Sequence, residues 1–580
     1  MLYSSTEDQQ IEKDLRIMEE KCEKFSKRFD TVSKSYMTST LALLEALKEY
    51  ENLNIILECK PFLYFNYLKD TDSANNKATS AISLIANRQA KALNQISFFE
   101  ISLGLVPKEK QKEFLSSAEL SKFKVFLSRV FQDARYNLSV PEEKILNLKS
   151  LPACEMWIDG NERALGQLSV KWKGEILPLP RAQKLIHTLA KASERYKVSD
   201  LVTEQLKSIA PFSEAEINAV YTDKKINDEL RGYALPYENT VRSYRNDPEV
   251  VKKLVETVTA GFPIAHRFYK IKAKLLKLKK LRYTDRMADV GKIKSEFDFA
   301  KSLEFLKNTF GKIDKKYADI LEKYSKQGQI DAVPKIGKKG GAYCWGSYSN
   351  PTFVLLNHTD DLNSLTTFAH EMGHAFHTEL SRQQGIMYYN YSTSLAETAS
   401  TLFESIAMEA VFDSLSEKEK ITVLHDRIND AISTIFRQVA CFNFELDLHN
   451  NVRLKGFVSK EEIVELHNKN MKAYLGPVFE MKSDDGYFFT QWGHIRRFFY
   501  VYSYAYGMLV SKALLRRYRA DKTFWKSIEK FLSAGGKASP EEILLEIGID
   551  VSKSEFWKEG LKEIDNDIGK LEKLVNTRAR

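Results

Sequence analysis

The chain has 580 residues, of which 43% are hydrophobic and 28% charged, and its net charge is +9 from 87 basic and 78 acidic residues. This length predicts two or three subdomains instead of one small core. The excess of positive charge is small and dispersed along the sequence, which favours a solvated surface and argues against a nucleic-acid-binding protein.

The five cysteines are widely spaced and form no Cys-x-x-Cys pair. This pattern predicts buried thiols in a reducing compartment, and it argues against disulfides or a cysteine-ligated zinc site. The N-terminal segment MLYSSTEDQQIEKD has no basic stretch followed by an apolar one, so no secretory signal is visible. We therefore expect a cytoplasmic protein that has no membrane partner.

Helical periodicity begins near the N-terminus. Apolar residues follow one another there at steps of four and three, at Ile11, Leu15, Met18, Cys22, Phe25, Phe29 and Val32. Such a seam predicts a long helix packed against a second helix over residues 36–60. A further helical run is expected over residues 72–102.

A break in the helical pattern follows at GEILPLPRA, where Pro178 and Pro180 interrupt any helix. It indicates a soft boundary near residues 185–200. We divide the chain into an N-terminal helical domain, residues 1–190, and a second domain, residues 191–580. Helical periodicity resumes after the boundary and continues to about residue 326.

Strand-like sequence appears in PKIGKKGGAYCWGSYSNPTFVLLNHTDD, residues 334–361, where glycines and aromatic residues cluster around the run FVLLN. We expect two or three short strands here, joined by a tight turn at residues 347–351. The fold class is therefore mainly α, with many helices and a small β-sheet just before a histidine-rich helix.

That helix contains FAHEMGHAFH, residues 368–377, which holds three of the ten histidines in the chain. On a helix, His370 and His374 project one turn apart on the same side, so both can bind one zinc ion at about 2.0 to 2.1 Å. Glu371 can then take a proton from a water molecule at the open position of the metal. This is the HExxH arrangement. The alternative is a partly buried helix whose histidines bond to their neighbours.

A catalytic zinc needs three protein ligands, and the candidates for the third are His377 and Glu397. Three ligands from successive turns of one helix would lie in a line along it and would not surround a tetrahedral ion. Glu397, in the helical stretch SLAETASTLFES, is therefore favoured, because a second helix can approach from another direction. His377 then has a packing role or contacts a ligand from behind. Glu404 could hydrogen-bond a ligand histidine or be an ordinary carboxylate between helices.

At these residues the chain resembles a known family. HEMGHAFH followed by AETASTLFE resembles the thimet-oligopeptidase-like M3 zinc metallopeptidases, and among them oligoendopeptidase F. The block GAYCWGSYSNPTFVLLNHTDDLNSLTTFAHEMGHAFH is similar throughout. KAKLLKLKKLRYTD, FLSAGGKASPEEILLEIGID and the tyrosine-rich segment from Phe498 are similar as well. The resemblance covers about residues 95–575.

The resemblance implies a multi-helical, zincin-like fold with a deep substrate channel, and it makes residues 191–580 the catalytic domain. It implies one zinc ion per chain, held by His370, His374 and Glu397, with Glu371 as the general base. Substrate contacts are expected from Gly341, Ala342 and Tyr343. The FVLLN strand is expected to pair with an extended peptide through backbone hydrogen bonds.

Hydrolysis of a peptide also needs a hydrogen-bond donor for the oxyanion that develops on the carbonyl. GHIRRFFYVYSYAYG offers His494, Tyr500, Tyr502, Tyr504 and Tyr506. The family has a histidine and tyrosines in this region. We expect His494, Tyr500 and Tyr504 to act in catalysis and Tyr502 and Tyr506 to contact substrate, although an aromatic core role is the alternative for most of the tyrosines.

The segment around His494 also differs from the usual pattern of the family. Gly493 replaces a proline, and Ile495 and Arg496 replace aromatic residues. These differences predict a different substrate pocket. The apolar segment FFYVYSYAYGMLVSKALL, from Phe498, is barely long enough to span a membrane and contains tyrosines, serines and Lys512, so we expect a buried helix there.

The sequence thus predicts a zinc-dependent endopeptidase that hydrolyses internal bonds of short oligopeptides with a zinc-bound water activated by Glu371. One alternative is a zinc carboxypeptidase or dipeptidase in which Arg496 or Arg497 holds the terminal carboxylate. Another is a peptide-binding protein with an inactive site. Oligopeptides are the expected partners, and the sequence leaves open whether the protein is a monomer or a homodimer.

Overall fold

A computed structural model describes residues 2–291, 293, 296–412 and 415–578. Within this part of the chain the α-helices are α1 Gln9–Ser26, α2 Thr40–Leu57, α3 Lys60–Thr71, α4 Asn76–Ile96, α5 Phe98–Gly104, α6 Lys108–Ser116, α7 Lys124–Asp133, α8 Val140–Ser150, α9 Met156–Gly166, α10 Leu179–Thr188, α11 Ala192–Arg231, α12 Glu238–Ser243, α13 Pro248–Ala260, α14 Phe262–Leu275, α15 Phe299–Gly311, α16 Lys315–Lys326, α17 Leu362–Ser381, α18 Thr393–Phe412, α19 Glu417–Ala431, α20 Gln438–Lys455, α21 Lys460–Leu475, α22 Tyr502–Ala520, α23 Trp525–Leu532, α24 Pro540–Leu545 and α25 Ser554–Arg578.

The described residues also form two small sheets. Strands β1 (Ser169–Trp172) and β2 (Glu175–Pro178) form an antiparallel hairpin. Strands β3 (Ile330–Asp331), β4 (Tyr343–Trp345) and β5 (Phe353–Leu355) form a second sheet in the order β3-β5-β4. β5 pairs in parallel with β3 and antiparallel with β4.

The described residues form two compact units, each drawn from separate parts of the chain. The first unit comprises Met1–Glu143, Glu296–Tyr391 and Lys526–Ala538, and the second comprises Lys144–Ser295, Ser392–Trp525 and Ser539–Arg580. The sequence-based domains 1–190 and 191–580 stay a prediction.

The first unit contains the N-terminal helices, whose core forms along the predicted seam. Apart from its last position the seam is buried, and Phe25 lies at its centre in contact with Phe29 and Phe99. Val32 is 76% exposed because α1 ends at Ser26 and the following π-helical turn rotates the chain. The apolar spacing therefore predicts α1 and its buried face correctly. It does not predict the exposure of Val32, which lies beyond the end of α1.

The same unit holds the histidine-rich helix α17 and the three-stranded sheet beside it. α15 and α16 also pack against α17, where the ring of Phe376 lies edge-on to Phe310 and Tyr317. The sheet approaches closely at Gly346, where an added Cβ would lie 2.6 Å from Thr378 of α17. Only glycine allows this approach between the strand and the helix.

The second unit is built around the 40-residue helix α11 and the paired helices α18 and α22. α18 and α22 bury apolar residues along most of their length, among them Leu402, Phe403, Leu509 and Leu514. α25 covers them with Trp557, which is fully buried. Burial of such side chains contributes roughly 1.5–3 kcal/mol each.

The expectation of a mainly helical fold is confirmed, as are the short strands before α17. The β1–β2 hairpin was missed, because the sequence pattern around Pro178 was interpreted only as a helix break. In the tyrosine-rich segment the helix begins at Tyr502 instead of Phe498. Across the described residues, no helix combines the length and apolar character needed to cross a membrane.

Candidate metal centre and active site

The HExxH residues lie on α17, whose N-cap residue is Asp361. The carboxylate of Asp361 accepts the backbone N–H of Ser364 at 2.7 Å and so satisfies one of the free donors at the start of the helix. The rings of His370 and His374 are adjacent, with centroids 5.0 Å apart. The structure therefore places these two imidazoles one turn apart on the same side, as the spacing predicts.

Glu397, on α18, completes a group of three potential ligands. One ligand atom from each of His370, His374 and Glu397 lies within 4.8 Å of the other two, and all three residues are half-buried. Two imidazoles and one carboxylate form the ligand set of many catalytic zinc sites. Because three donors of the right chemical type converge on one point, these residues fit a single zinc ion.

Two neighbours hold Glu397 in position. The hydroxyl of Ser400 donates to the Oε2 atom of Glu397 at 3.2 Å. Behind the side chain lies Gly507 of α22, where an added Cβ would be 2.9 Å from the Cβ of Glu397. The glycine therefore allows α22 to pack directly against α18 at the proposed ligand. No local sequence pattern indicates that Ser400 or Gly507 contacts Glu397.

Glu371 and His377 occupy other positions on α17. Glu371 follows His370 directly and is only 6% exposed. His377 is fully buried and stacks on Tyr391, with ring centroids 3.5 Å apart, and burial lowers the pKa of His377 to about 3. At neutral pH its ring is therefore uncharged, and it packs on Tyr391. Glu404 lies two turns after Glu397 on α18 and is half-buried.

The β-sheet differs from expectation in one important respect. The prediction that FVLLN pairs with a peptide is wrong, because β5 is the central strand and has β3 and β4 on its two sides. The outer strand that follows Gly341 and Ala342 is β4, beginning at Tyr343. The hydroxyl of Tyr343 donates to Asp70 at 2.8 Å, so its side chain is already engaged.

A carboxylate missed by the sequence analysis fixes the loop between β4 and β5. Glu58 accepts the backbone N–H groups of Tyr348 at 2.6 Å and Ser349 at 2.7 Å. It also accepts the hydroxyl of Ser347 at 2.8 Å. Glu58 is 289 to 291 residues away from these partners in sequence, so no local pattern indicates this contact.

His494, Tyr500 and Tyr504 form an aromatic cluster in the second unit. The Nδ1 atom of His494 and the hydroxyl of Tyr500 are hydrogen-bonded, and the ring centroids of Tyr500 and Tyr504 are 5.7 Å apart. Burial and the nearby Arg437 and Arg497 lower the pKa of His494 to about 4. Burial raises the pKa of Tyr500, and the neighbouring Tyr504 adds to this effect. At neutral pH the imidazole is therefore uncharged and the phenol keeps its proton.

The segment that leads into Tyr500 is strained. Phe498 and Phe499 have φ values of 45° and 60°, in the left-handed region that bulky residues avoid. Two side chains stabilise it: a carboxyl oxygen of Glu445 accepts the N–H of Phe499 at 3.0 Å, and the hydroxyl of Thr240 donates to the carbonyl of Phe498 at 2.9 Å. Strain of this kind is common at functional sites.

The other two tyrosines are buried in the helix packing. Tyr502 and Tyr506 are each 0% exposed, and the hydroxyl of Tyr502 donates to Asn246 at 2.9 Å. Tyr506 packs against Trp557, with ring centroids 5.3 Å apart. Neither residue offers surface to a substrate in this structure, in contrast to the half-buried Tyr500 and Tyr504.

Arg496 is also engaged inside the protein. Its guanidinium group forms a two-pronged ion pair with Glu216, with N–O distances of 2.8 and 2.6 Å, and donates to three backbone carbonyls. Both side chains are nearly inaccessible to water. Arg496 is therefore committed to a structural pair, and of the two arginines considered for an exopeptidase only Arg497 is exposed.

The family model described as "Peptidase family M3" matches residues 184–563, and one described as "Oligopeptidase F" matches residues 103–159. The chain belongs to peptidase family M3. It is therefore a hydrolase of peptides, and the expectation of an oligoendopeptidase F-like metalloendopeptidase is confirmed. The carboxypeptidase and inactive-protein alternatives are not favoured. Peptides are accordingly its substrates, and the half-buried His/His/Glu group is consistent with the general zinc dependence of M3 peptidases.

Individual relatives agree with this assignment. An oligoendopeptidase F homolog of Borreliella burgdorferi is 27% identical over 528 residues, which cover 88% of this chain and 87% of the relative. The crystal structure of a putative peptidase from Chlamydophila abortus matches with a TM-score of 0.85 at 22% identity and covers 97% of both chains. Oligoendopeptidase F from Enterococcus faecium matches with a TM-score of 0.73 at 17% identity, over 98% of this chain and 99% of the other. These two structures establish the shared fold.

Proposed function

We propose that this M3 peptidase holds one zinc ion per chain through His370, His374 and Glu397, and that Glu371 is its general base. The observation that carries the proposal is the convergence of the three ligand atoms within 4.8 Å, with Glu371 next to one of the ligands on the same helix. When bound, the ion supplies Lewis-acid chemistry, because it polarises a carbonyl group and makes water more acidic.

The proposed role of Glu371 is to move a proton twice. Its carboxylate accepts a proton from the attacking water molecule, and it then returns that proton to the nitrogen of the leaving amine. Glu371 is 6% exposed, so little bulk water competes for its oxygen atoms. The peptide bond breaks by direct attack of water, and the chain forms no covalent intermediate.

His494 and the two half-buried tyrosines are proposed to stabilise the oxyanion. Because Tyr500 keeps its proton, its hydroxyl can donate to Nδ1 of His494, which leaves the ring proton on Nε2. Nε2–H then becomes a donor of fixed direction. Tyr504, 6.1 Å from the His494 ring, offers a second donor. One donor to an oxyanion contributes about 10²–10³ in kcat.

The outer strand β4 supports a proposal for peptide binding. An extended substrate can add to the free edge of a sheet through main-chain hydrogen bonds, which do not depend on its sequence. We assign this role to the backbone of Gly341, Ala342 and Tyr343, since β4 is the outer strand and the side chain of Tyr343 is bound to Asp70. Such binding suits a peptidase with broad specificity for oligopeptides.

The proposal is tested by cleavage of a quenched fluorescent peptide, with products identified by mass spectrometry and zinc content measured for each protein. Wild type is compared with Glu371→Gln, which keeps the shape of the side chain but cannot accept the proton. We expect internal cleavage by wild type and a loss of at least about 10²-fold in kcat for the variant at equal zinc content. A variant that retains its zinc and cleaves at the wild-type rate would exclude Glu371 as the base.

A cytoplasmic location is part of the proposal. It is supported by the state of the cysteines, which are all free thiols, with Cys22, Cys59 and Cys441 buried. Free buried thiols of this kind suit a reducing compartment. Fractionation of source cells followed by immunodetection tests it, and recovery of the protein mainly outside the cytoplasmic fraction would contradict it.

A further inference from the structure

A cavity of about 500 Å³ lies within the second unit. It is bounded by α10, α11 and two short 3-10 helices, Tyr283–Met287 and Ser483–Gln491. This volume is in the range of small-molecule sites. Its described lining contains none of the proposed metal ligands and none of the residues proposed to act on the peptide bond.

The lining is positively charged. Two guanidinium groups, those of Arg286 and Arg437, face the cavity together with Lys184, which is exposed. Among the described lining residues the one carboxylate belongs to Asp485, and it accepts the backbone N–H of Lys482 at 2.7 Å. A positive excess in a partly enclosed space attracts an anion.

Aromatic rings fix the two guanidinium groups. The ring centroid of Phe488 is 5.5 Å from the guanidinium carbon of Arg286 and 5.8 Å from that of Arg437. Arg286 also lies over Tyr283 at 3.8 Å, and Arg437 lies over Trp492 at 4.8 Å. Stacking of this kind orients the flat guanidinium group but uses none of its N–H donors.

Several polar atoms in this wall lack a hydrogen-bond partner. They are the Nε atoms of Arg286 and Arg437 and the hydroxyl oxygens of Tyr283 and Thr284, as far as the described residues show. Tyr283, Thr284 and Arg286 are each at least nine-tenths buried. Buried donors without acceptors are destabilising, and a bound ligand is one way to satisfy them.

We propose that this cavity binds a small organic carboxylate, with its charge held by Arg286 and Arg437 and its apolar or aromatic body against Tyr283 and Phe488. Paired N–H donors of guanidinium groups match the geometry of a carboxylate. A monoanion suits the site better than a phosphate dianion, because Asp485 places a negative charge in the same wall. The carboxylate could be the C-terminus of a peptide or part of a free organic acid.

The test is calorimetric titration of the holoenzyme with N-acetyl-L-phenylalanine, which imitates a peptide C-terminus, and with 3-phenylpropanoate, which lacks the amide. N-acetyl-L-phenylalaninamide is the uncharged control. We expect saturable binding of the acids at one site in the cavity and at least 10-fold weaker binding of the amide. Tighter binding of N-acetyl-L-phenylalanine than of 3-phenylpropanoate would identify peptide C-termini as the ligands. Equal affinity for the two acids would identify free organic acids. Equal binding of acid and amide would overturn the proposal.

The metal centre could also bind a carboxylate, so substitutions in the cavity are used to show where the acid binds. Arg286→Met and Arg437→Met are each expected to weaken binding of the acid at least 10-fold. The matched control is Arg163→Met, on the exposed surface of α9, where affinity should not change. Wild-type affinity in both cavity variants would place the acid elsewhere and overturn the proposal.

A further variant provides a test if the proteins with a substituted arginine do not fold. Thr203→Trp, on the half-buried face of α11 that lines the cavity, keeps both guanidinium groups but fills the space, so it should abolish binding. A crystal soaked with N-acetyl-4-bromo-L-phenylalanine then locates the ligand by anomalous scattering of bromine. A peak between Arg286 and Arg437 supports the proposal, and a peak at the metal centre alone, or binding at crystal concentration only, contradicts it.

Discussion

A carboxyl oxygen of Glu445 accepts the backbone N–H of Phe499 at 3.0 Å, and both residues are fully buried. This hydrogen bond holds the second of two consecutive residues in the left-handed region, directly before Tyr500. Each bulky residue in that region costs about 1–3 kcal/mol and persists only where its surroundings enforce it. Glu445 is thus a positioning residue for the segment that presents Tyr500 to His494.

Replacing Glu445 tests this role. Glu445→Leu removes the acceptor, so we expect Phe499 to relax, Tyr500 to leave His494 and kcat to fall by about 10- to 100-fold, with KM and zinc content little changed. Glu445→Gln keeps an amide oxygen in the same place and should restore most of the activity. Steady-state kinetics with zinc analysis measures both. If the leucine and glutamine variants were equally impaired, the hydrogen bond to Phe499 would not be the important feature.

The buried carboxyl group of Glu445 should also make the stability of the protein depend on pH. Burial raises the pKa of Glu445 from 4.5 to about 8. Between these values the folded protein retains a proton that the unfolded chain has lost, so the free energy of unfolding falls as pH rises, by at most about 1.4 kcal/mol per pH unit. Glu445→Gln has no such proton. Thermal unfolding from pH 5.5 to 7.5 should therefore show a smaller decrease for the variant than for wild type, and identical slopes would contradict the raised pKa.

Gly507 offers a test of the third ligand that does not alter any proposed ligand. In Gly507→Ala the new Cβ would lie 2.9 Å from the Cβ of Glu397, so α18 and Glu397 must shift. We expect zinc affinity to fall about 10- to 100-fold, comparable to the loss of a contact behind a ligand. Gly166→Ala is the matched control, because an added Cβ there meets nothing within 4 Å. Competition with a zinc chelator measures both variants, and unchanged affinity in Gly507→Ala would argue against Glu397 as a ligand.

The parts of the site that the sequence predicted depend on short-range geometry. His370 and His374 are four residues apart on one helix, and that spacing alone brings their rings together. Tyr500 lies before the first residue of α22, so its contact with Tyr504 depends on the strained segment at Phe498 and Phe499 and not on helical spacing. A periodic pattern cannot indicate a left-handed backbone at two phenylalanines.

The parts that were missed depend on partners distant in sequence. Glu58 and Glu445 look like ordinary helical carboxylates, and their importance comes from backbone groups 54 or more residues away. Tyr502 and Tyr504 are also indistinguishable by residue type, and only the packing shows that one is buried and the other half-exposed. Local spacing predicts which residues share a helix face, whereas the side on which the core lies depends on the tertiary structure.

The buried ion pair between Arg496 and Glu216 predicts a loss of stability that is separate from catalysis. Arg496→Met leaves the carboxylate of Glu216 buried without its partner, which typically costs about 3–5 kcal/mol. The double variant Glu216→Leu with Arg496→Met removes both charges and should recover much of the thermal stability. If Arg496→Met instead folded normally and specifically lost activity on peptides with a free C-terminus, Arg496 would hold the substrate carboxylate, as in an exopeptidase.

Two phenylalanine substitutions can show which tyrosine stabilises the oxyanion. Tyr504 is half-buried, 6.1 Å from His494 between ring centroids, whereas the hydroxyl of Tyr502 is fully buried and donates to Asn246. We therefore expect Tyr504→Phe to lower kcat by about 10²-fold or more with little effect on thermal stability. Tyr502→Phe should keep kcat within a few-fold and lose about 1 kcal/mol of stability, because it removes one buried hydrogen bond. Kinetics and thermal unfolding of both variants make the comparison. The reverse result, with kcat lost in Tyr502→Phe and retained in Tyr504→Phe, would require Tyr502 to turn out of the core toward the substrate.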